Sequence, residues 1–258
     1  MKDIELFLLD LDGTIYLGSR MIDGAAEFLR KIKQAGKRYC FLTNNSSRSS
    51  ADYLKKLHSL GIDAGPDEIL TSGYAAIRYL KANHPSSRVF LMGTRSLRRE
   101  FFEEGINLVE ESPDVVVVSY DTELDYEKLC KTCLFLRQDT FYVCTHPDLN
   151  CPSQRGPLPD AGSFMALIQK STGRLPDVIC GKPYPALAQA VRDKFGLSGK
   201  KVAMVGDRLM TDMAFARENG FVSVLVLSGE TDRKMLNESG AEPDLVFGSV
   251  AEIIPNLV

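Results

Sequence analysis

The sequence lacks the features that mark membrane, secreted and nucleic-acid-binding proteins. Its 258 residues carry 31 Lys and Arg against 34 Asp and Glu, a net charge of −3, so it has no basic excess for a nucleic acid polymer. No window approaches the roughly 20 apolar residues that span a bilayer. The N-terminal segment lacks the charged, apolar and small-residue order of a signal peptide. These absences predict a cytoplasmic protein with neither a nucleic acid nor a membrane as partner.

Cysteine is also scarce. Six Cys are too few for a disulfide scaffold in a chain of this length. Cys130 and Cys133 form a C-x-x-C, a spacing that occurs in redox and zinc sites, but no second metal-spaced pair accompanies them. Because they lie in an apolar helical pattern, we interpret them as small hydrophobic residues on a helix.

Apolar runs and amphipathic segments alternate along almost the whole chain. This alternation predicts an α/β fold with a doubly wound parallel sheet covered on both faces. The predicted strands are 4–9, 39–42, 89–92, 115–119, 141–145, 202–205, 222–227 and 245–247. The predicted helices are 23–35, 49–60, 96–104, 125–137, 162–172, 184–195, 209–219, 231–239 and a terminal one.

The first predicted strand ends in the sequence DLDGT. Asp10 stands at the carboxyl end of an otherwise apolar strand, where open α/β sheets bind ligands. Asp12 follows two residues later, so in an extended chain it points to the same side. Two close carboxylates divide into an ionised group and a protonated one, or a cation compensates both. One can then attack phosphorus while the other donates a proton to the leaving oxygen.

DLDGT resembles the first motif of the haloacid dehalogenase-like superfamily. The resemblance implies that Asp10 is the nucleophile and Asp12 the general acid and base. The second motif of that family resembles the polar segment after the second strand, where Thr43 and the amides of Asn44 and Asn45 are candidates to bind phosphate oxygens.

The third and fourth motifs follow in the family order. Lys182, between Gly and Pro before a predicted helix, would neutralise the nucleophile and the transferring phosphoryl group. Asp207 ends another apolar strand, and Asp212 follows five residues later. Mg2+ takes oxygen ligands, and the resemblance implies a site formed by the carboxylates of Asp10 and Asp207 and the backbone carbonyl of Asp12. Asp212 would then act from outside that set, or serve as a first-turn acid of its helix.

The interval between the second and third motifs is far longer than a connecting helix needs. It resembles the branch with a large inserted α/β cap, which includes NagD-like and p-nitrophenylphosphatase-like enzymes. The resemblance covers essentially the whole chain and implies a Rossmann-like catalytic core at 1–72 and 180–258 and a cap at 73–179. In this branch, a homodimer formed through the cap would be unsurprising.

The cap contains a segment that resembles the substrate-specificity loop of this branch. His146, Asp148 and Asp160 are its candidate residues, although His146 could equally cap backbone groups of the loop. The segment has His146 where Asn is common before Pro-Asp, and Asp160 takes a place often held by Gly. The chain has no Trp to suggest a stacked nucleobase. Sugar phosphates, nucleotides, pyridoxal phosphate and glycolytic phosphates all stay open as substrates.

Together the four motifs predict a Mg2+-dependent phosphatase that hydrolyses small phosphate monoesters through an aspartyl-phosphate intermediate. A phosphotransferase or mutase would share that intermediate and differ in the acceptor. A dehalogenase would need neither Asp12 nor the metal. A non-enzymatic phospho-acceptor of the receiver type is about half this length and lacks an acid at the position of Asp12.

Overall fold

The computed structural model describes residues 1–153, 155–197 and 201–257. Its strands are β1 (Leu6–Leu9), β2 (Tyr16–Leu17), β3 (Arg20–Met21), β4 (Arg38–Thr43), β5 (Ile69–Thr71), β6 (Val89–Met92), β7 (Val115–Val118), β8 (Phe141–Cys144), β9 (Asn150–Cys151), β10 (Leu158–Pro159), β11 (Val178–Ile179), β12 (Val202–Gly206), β13 (Val222–Val226) and β14 (Leu245–Phe247).

The helices lie between these strands. They are α1 (Ala25–Gln34), α2 (Ser50–Ser59), α3 (Ser72–Asn83), α4 (Arg95–Glu103), α5 (Tyr126–Leu136), α6 (Ala161–Thr172), α7 (Pro185–Phe195), α8 (Ala214–Asn219) and α9 (Arg233–Ser239). A π-helical turn, Leu209–Met213, precedes α8, and the described chain ends in a 3-10 helix, Val250–Asn256. Among the described helices, none combines the length and apolar content needed to cross a bilayer.

Two compact units divide the chain. The first comprises residues 1–43, 54–70 and 182–258, and the second comprises 44–53 and 71–181. The predicted core and cap boundaries stay a prediction, and positions 154, 198–200 and 258 of those ranges lie outside the described residues.

The first unit is built on a six-stranded sheet in the order β14-β13-β12-β1-β4-β5. Strand β1 lies at its centre and pairs in parallel with β12 and β4. Every residue of β1 and of β12 is buried, as expected for central parallel strands covered on both faces. The sheet therefore brings the carboxyl ends of β1, β4 and β12, after which the motif residues follow, to one edge.

The second unit has a four-stranded parallel sheet in the order β11-β8-β7-β6. Its core contains inward residues of β6, β7 and β8 packed on α5 and α6: Phe90, Met92, Val116, Val118, Leu136, Tyr142, Cys144, Ala161 and Ile168. Cys133 packs against this core, and all six cysteines are free thiols. The C-x-x-C pair therefore lies on a helix, as the sequence predicts.

The predicted parallel α/β fold is confirmed, but two local predictions need correction. Helix α3 was not predicted. Its first residues, Ser72 and Gly73, are buried and form a helical turn that Thr71 caps. The predicted helix 209–219 is interrupted, because its first turn is a π-turn in which Met213 N–H bonds Arg208 O at 3.1 Å.

Candidate active site

Asp10 is the first residue beyond β1. Its amide donates to Val205 O of β12 at 2.9 Å, so the sheet ladder itself fixes its backbone. Its side chain is 13% exposed. A carboxylate in this place is accessible to a ligand but largely removed from bulk water.

Lys182 is the cation at this strand edge. Its side chain is 2% exposed, and its Nζ lies 2.6 Å from Asp10 Oδ1, 2.7 Å from Asp212 Oδ1 and 3.2 Å from Leu42 O. Three short contacts to acceptors from three segments hold the ammonium group in one position. A buried charge of this kind is tolerated only when it is paired in this way.

Asp207 follows β12 and is 2% exposed. Its Oδ2 accepts the amide of Glu230 at 2.6 Å, while Oδ1 is buried and has no hydrogen-bond partner among the described residues. Gly13 and Gly229 press against this carboxylate, and a Cβ at either would collide with it. Gly13 also has a φ of 87°, which side-chain-bearing residues rarely adopt. The two glycines therefore form a close cradle around Asp207.

Asp212 is completely buried within the π-turn. Its Oδ1 accepts from Lys182, and its Oδ2 accepts from Arg208 N at 3.1 Å. π-turns within helices are frequent at functional sites. Here the wide turn directs Asp212 back toward the strand edge. We call Asp10, Lys182, Asp207 and Asp212 the acidic cluster.

The electrostatics of the acidic cluster reflect burial and crowding. Burial raises the pKa of Asp10, and the negative charges of Asp212 and Asp207 raise it further, against the opposing effect of Lys182. Burial and Asp212 likewise raise the pKa of Asp207 to about 7. Burial alone would lower the pKa of Lys182, but the charges of Asp10 and Asp212 reverse that effect and raise it. When all three carboxylates of the cluster are ionised, their negative charge exceeds the positive charge of Lys182.

Asp12 has a different environment. It is exposed at the surface of the first unit, but surrounding protein still desolvates it enough to raise its pKa, against the opposing influence of Lys56 and Tyr16. Tyr16 is completely buried, and Lys56 Nζ lies 3.7 Å from the centre of its ring. Tyr16 and Lys56 were missed by sequence reasoning, since neither belongs to a recognisable motif.

The second unit contains the remaining candidates. The Asn44 side-chain amide donates to both carboxylate oxygens of Asp148 at 3.2 and 3.3 Å. Asn45 Oδ1 accepts from the amide and hydroxyl of Ser47, at 3.0 and 2.7 Å. This is a turn-forming contact. Thr43, by contrast, is the last residue of β4 in the first unit and is 6% exposed.

His146 and Asp160 form a contact that could not be predicted from the sequence. The histidine is 0% and the aspartate 3% exposed, and His146 Nε2 lies 2.8 Å from Asp160 Oδ1. The two departures from the family loop pattern are therefore direct neighbours. Sequence reasoning also missed Thr145 and Ser72, which contact His146 Nδ1, and Ser46, which hydrogen-bonds Thr145, because single hydroxyl residues give no signal of their own.

Comparisons with known proteins agree with this geometry. Residues 7–107 match the family model of haloacid dehalogenase-like hydrolases, and residues 179–253 match a second HAD-hydrolase-like model. An acid sugar phosphatase of Staphylococcus haemolyticus is 33% identical over 100% of this chain and 98% of its own.

Solved structures give the same result. A 4-nitrophenylphosphatase from Thermotoga maritima superposes with a TM-score of 0.97 at 45% identity, over 100% of this chain and 98% of that one. A structure assigned to the NagD proteins has a TM-score of 0.94 at 43% identity, over 99% of both chains. The predictions of family, fold and hydrolase class are confirmed, and the chain belongs to the haloacid dehalogenase-like hydrolases, in their NagD-like and p-nitrophenylphosphatase-like branch.

Proposed function

We propose that the protein is a Mg2+-dependent phosphatase that hydrolyses phosphate monoesters of small metabolites through an aspartyl-phosphate intermediate on Asp10. The observation that carries the proposal is the Lys182 ammonium group, 2.6 Å from Asp10 and 2.7 Å from Asp212. A fixed cation beside a carboxylate nucleophile offsets the repulsion between that nucleophile and a phosphate dianion.

The residues of the acidic cluster fit a divalent cation. Carboxylate oxygens of Asp10, Asp207 and Asp212 lie within 4.8 Å of one another, and the buried Asp207 Oδ1 lacks a hydrogen-bond partner among the described residues. We assign the carboxylates of Asp10 and Asp207 and the carbonyl of Asp12 as ligands. Asp212 supports them from outside, since Lys182 and Arg208 N occupy its oxygens. When bound, Mg2+ supplies positive charge to the phosphoryl oxygens.

The chemistry of the chain's own residues runs in two steps. In the first, Asp10 forms a bond to phosphorus while the bond from phosphorus to the alcohol oxygen breaks, and Asp12 gives that oxygen a proton. The raised pKa of Asp12 favours a proton donor at this position. In the second, Asp12 takes a proton from water, whose oxygen attacks phosphorus and releases inorganic phosphate and free Asp10. Lys182 balances the charge of Asp10 throughout.

Phosphate binding is assigned to Thr43, Lys182 and the backbone amides of Asn44 and Asn45. Thr43 ends β4, directly beside β1 in the sheet, which supports its hydroxyl as a hydrogen-bond donor to a phosphoryl oxygen. The assignment of Asn44 and Asn45 follows from the second motif. Hydrogen-bond donors at fixed positions hold the phosphoryl group in line for attack by the nucleophile.

Among substrate classes, we favour sugar phosphates, with p-nitrophenyl phosphate as a synthetic substrate. The support is the acid sugar phosphatase that is 33% identical over the full chain and the 4-nitrophenylphosphatase at 45%. A cytoplasmic location and a homodimer stay predictions from the sequence and the family resemblance.

A panel assay tests the proposal. Purified protein is incubated with sugar phosphates, nucleotides, pyridoxal phosphate and p-nitrophenyl phosphate, in Mg2+ or in EDTA, and released phosphate is measured. We expect Mg2+-dependent release that Asp10→Asn abolishes. The matched control is Asp23→Asn. The carboxylate of Asp23 is 96% exposed, so this variant should release phosphate at the rate of the parent.

A second measurement distinguishes hydrolysis from transfer. Acid-quenched enzyme should carry one phosphoryl group, detected by mass spectrometry of the peptide that contains Asp10. If the phosphoryl group of the substrate appears in a second organic product instead of as inorganic phosphate, the enzyme is a phosphotransferase or mutase. If no substrate loses phosphate, or Asp10→Asn equals the parent, the proposed function is wrong.

A further inference from the structure

A short loop after β13 contacts the acidic cluster from one side. This segment, residues 228–231, joins β13 to α9 and lies, like the cluster, in the first unit. Ser228 Oγ donates to the carbonyl oxygen of Gly13 at 2.7 Å, and the Glu230 amide donates to Asp207 Oδ2 at 2.6 Å. The 228–231 loop therefore touches both the segment that follows β1 and the segment that follows β12.

The two carboxylate oxygens of Asp207 have different surroundings. Oδ2 accepts the Glu230 amide, and it is the atom that a Cβ at Gly13 or Gly229 would strike first. Oδ1 is buried and has no hydrogen-bond partner among the described residues. A buried carboxylate oxygen without a partner is costly, so it indicates a place for a ligand. Backbone thus encloses one oxygen of Asp207 and leaves the other available to a cation.

Arg208 connects the 228–231 loop to the rest of the cluster. Its Nε lies 2.9 Å from Glu230 Oε2, and its side chain is only 20% exposed. Its backbone amide donates to Asp212 Oδ2 at 3.1 Å, which fixes the Arg208 backbone at the start of the π-turn. Because Glu230 binds Asp207 through its amide and Arg208 through its carboxylate, the ion pair holds that amide in place against Asp207.

This arrangement limits how Asp207 can bind a metal ion. Ca2+ takes about six to eight oxygen ligands in a flexible geometry and can accept both oxygens of one carboxylate, whereas Mg2+ demands a compact, nearly octahedral set. Asp207 can offer both oxygens only if Oδ2 leaves the Glu230 amide, which requires the 228–231 loop to move. The ion pair between Arg208 and Glu230 opposes that movement.

We propose that Arg208 and Glu230 are a positioning pair that keeps Asp207 a one-oxygen ligand, so that the site prefers Mg2+ to the larger Ca2+. This inference rests on the cation site of the proposed function. The two side chains act through the Glu230 amide and take no part in the reaction at phosphorus. An ion pair without this role would contribute little to stability and would change the affinity for both ions alike.

Metal titrations without substrate test the pair. The Tm of metal-free enzyme is followed at rising Mg2+ or Ca2+, which yields an apparent Kd for each ion. In Arg208→Met and in Glu230→Gln, we expect the Kd ratio of Ca2+ to Mg2+ to fall by about 5-fold, the equivalent of one hydrogen bond. The double variant should fall no further than the more affected single variant, because both residues act through one contact.

The Kd ratio separates positioning from charge. Arg208→Met removes a positive charge near the site and should strengthen binding of both ions, whereas Glu230→Gln removes a negative charge and should weaken it. The two ions carry the same charge, so this effect cancels in the ratio, which should change in the same direction in both variants. Opposite changes, additive changes or an unchanged ratio would overturn the proposal.

Matched controls come from an exposed ion pair of the same unit. Arg217 and Glu218 of α8 lie 3.1 Å apart, but the Arg217 side chain is 76% exposed. Arg217→Met and Glu218→Gln make the same charge changes and should keep the parent ratio, and an equal fall in these controls would refute the pair. Arg208→Lys keeps a cation that can reach Glu230 and should restore most of the preference for Mg2+ that Arg208→Met loses.

Inhibition kinetics check the same inference in the working enzyme. Ca2+ should inhibit Mg2+-dependent hydrolysis of p-nitrophenyl phosphate more strongly in Arg208→Met than in the parent, at an unchanged KM for the ester, and unaltered inhibition would contradict the pair. A parent that binds Mg2+ but releases phosphate from no substrate would refute the proposed function and leave the pair to be judged by the Kd ratio. A parent that binds neither ion would refute the cation site and the pair together.

Discussion

The acidic cluster lies beyond the carboxyl ends of β1 and β12. The histidine network of the second unit, which comprises Ser46, Ser72, Thr145, His146 and Asp160, lies around the carboxyl end of β8. The two regions differ in how far their buried polar groups are paired. In the acidic cluster three carboxylates accompany one buried ammonium group, which forms ion pairs with Asp10 and Asp212, and Asp207 Oδ1 has no partner among the described residues. In the histidine network, the ring of His146 faces hydrogen-bonding partners on both sides. The first arrangement is poised to receive a cation and a substrate, whereas the second is complete in itself and rigid.

The two regions should therefore contribute differently to the free energy of unfolding. Burial and crowded negative charge raise the pKa of Asp10 and Asp207, and a bound cation would offset this repulsion. A satisfied network contributes to stability whether or not a ligand is bound. Perturbing charge in the first region should therefore change chemistry and metal response, whereas changes in the second should lower stability.

The largest effect is expected for Lys182→Met. Loss of this ammonium group leaves Asp10 and Asp212 buried without their shared cation. We expect kcat/KM to fall by about 1,000-fold or more, and the free energy of unfolding in EDTA to fall by about 3 kcal/mol. Steady-state kinetics and urea unfolding measure the two quantities.

The matched control for this prediction is Lys201→Met. Lys201 also forms a short ion pair, 2.7 Å from Glu5, but both side chains are about half exposed. We expect parent-like activity and almost unchanged stability. If both lysine variants behave alike, the buried ammonium group has no special role.

Asp207→Asn should reverse its effect on stability when metal is added. In EDTA the variant has one negative charge fewer in the crowded cluster, so its Tm should equal or exceed the parent's. In Mg2+ the parent should gain stability by ligand binding and the variant should gain little. Thermal unfolding at several Mg2+ concentrations checks both directions. An Mg2+-dependent rise of equal size in the two proteins would remove Asp207 from the ligand set.

Tyr16→Phe should produce a moderate effect that depends on the leaving group. The Tyr16 hydroxyl lowers the pKa of Asp12, the proposed proton donor. Its loss should raise the pKa of Asp12 and make it a weaker acid, so that kcat falls by about 10-fold for a sugar phosphate, whose alkoxide must be protonated. The effect on p-nitrophenyl phosphate should be smaller, because nitrophenolate leaves readily without a proton. Tyr126→Phe, at a ring 81% exposed on α5, is the control. Equal losses on both substrates would mean that Tyr16 acts through packing alone.

Predictability from sequence differs between the two regions for a physical reason. Asp10 and Asp207 could be located because each ends a short, fully buried apolar strand, and parallel strands bring their ends to one edge of a sheet. The contact between His146 and Asp160 depends on how a loop folds back on the start of α6, which side-chain periodicity does not encode. Helix α3 escaped prediction because its buried face consists largely of small residues, including Gly73, Ala75 and Ala76.

The smallest effect should come from the surface pair of Arg88 and Asp114. Arg88 contacts Asp114 through its backbone amide and its guanidinium group, at 2.8 to 3.2 Å, with both side chains about half exposed. Hydrogen bonds from Arg88 hold the pKa of Asp114 at about 2, below the value of about 3.9 expected in the unfolded chain. Its contribution to stability is therefore fully present above about pH 4 and is lost as the pH falls through 2.

Asp114→Asn should accordingly lower the Tm by only about 1–2 °C at pH 7, and by less at pH 3, where the unfolded parent is already largely protonated at this residue. Differential scanning calorimetry of parent and variant at the two pH values measures both differences. A loss as large as that of Lys182→Met would contradict the view that burial, not ion pairing as such, makes the acidic cluster sensitive. An undiminished loss at pH 3 would show that the carboxylate charge is not what stabilises the pair.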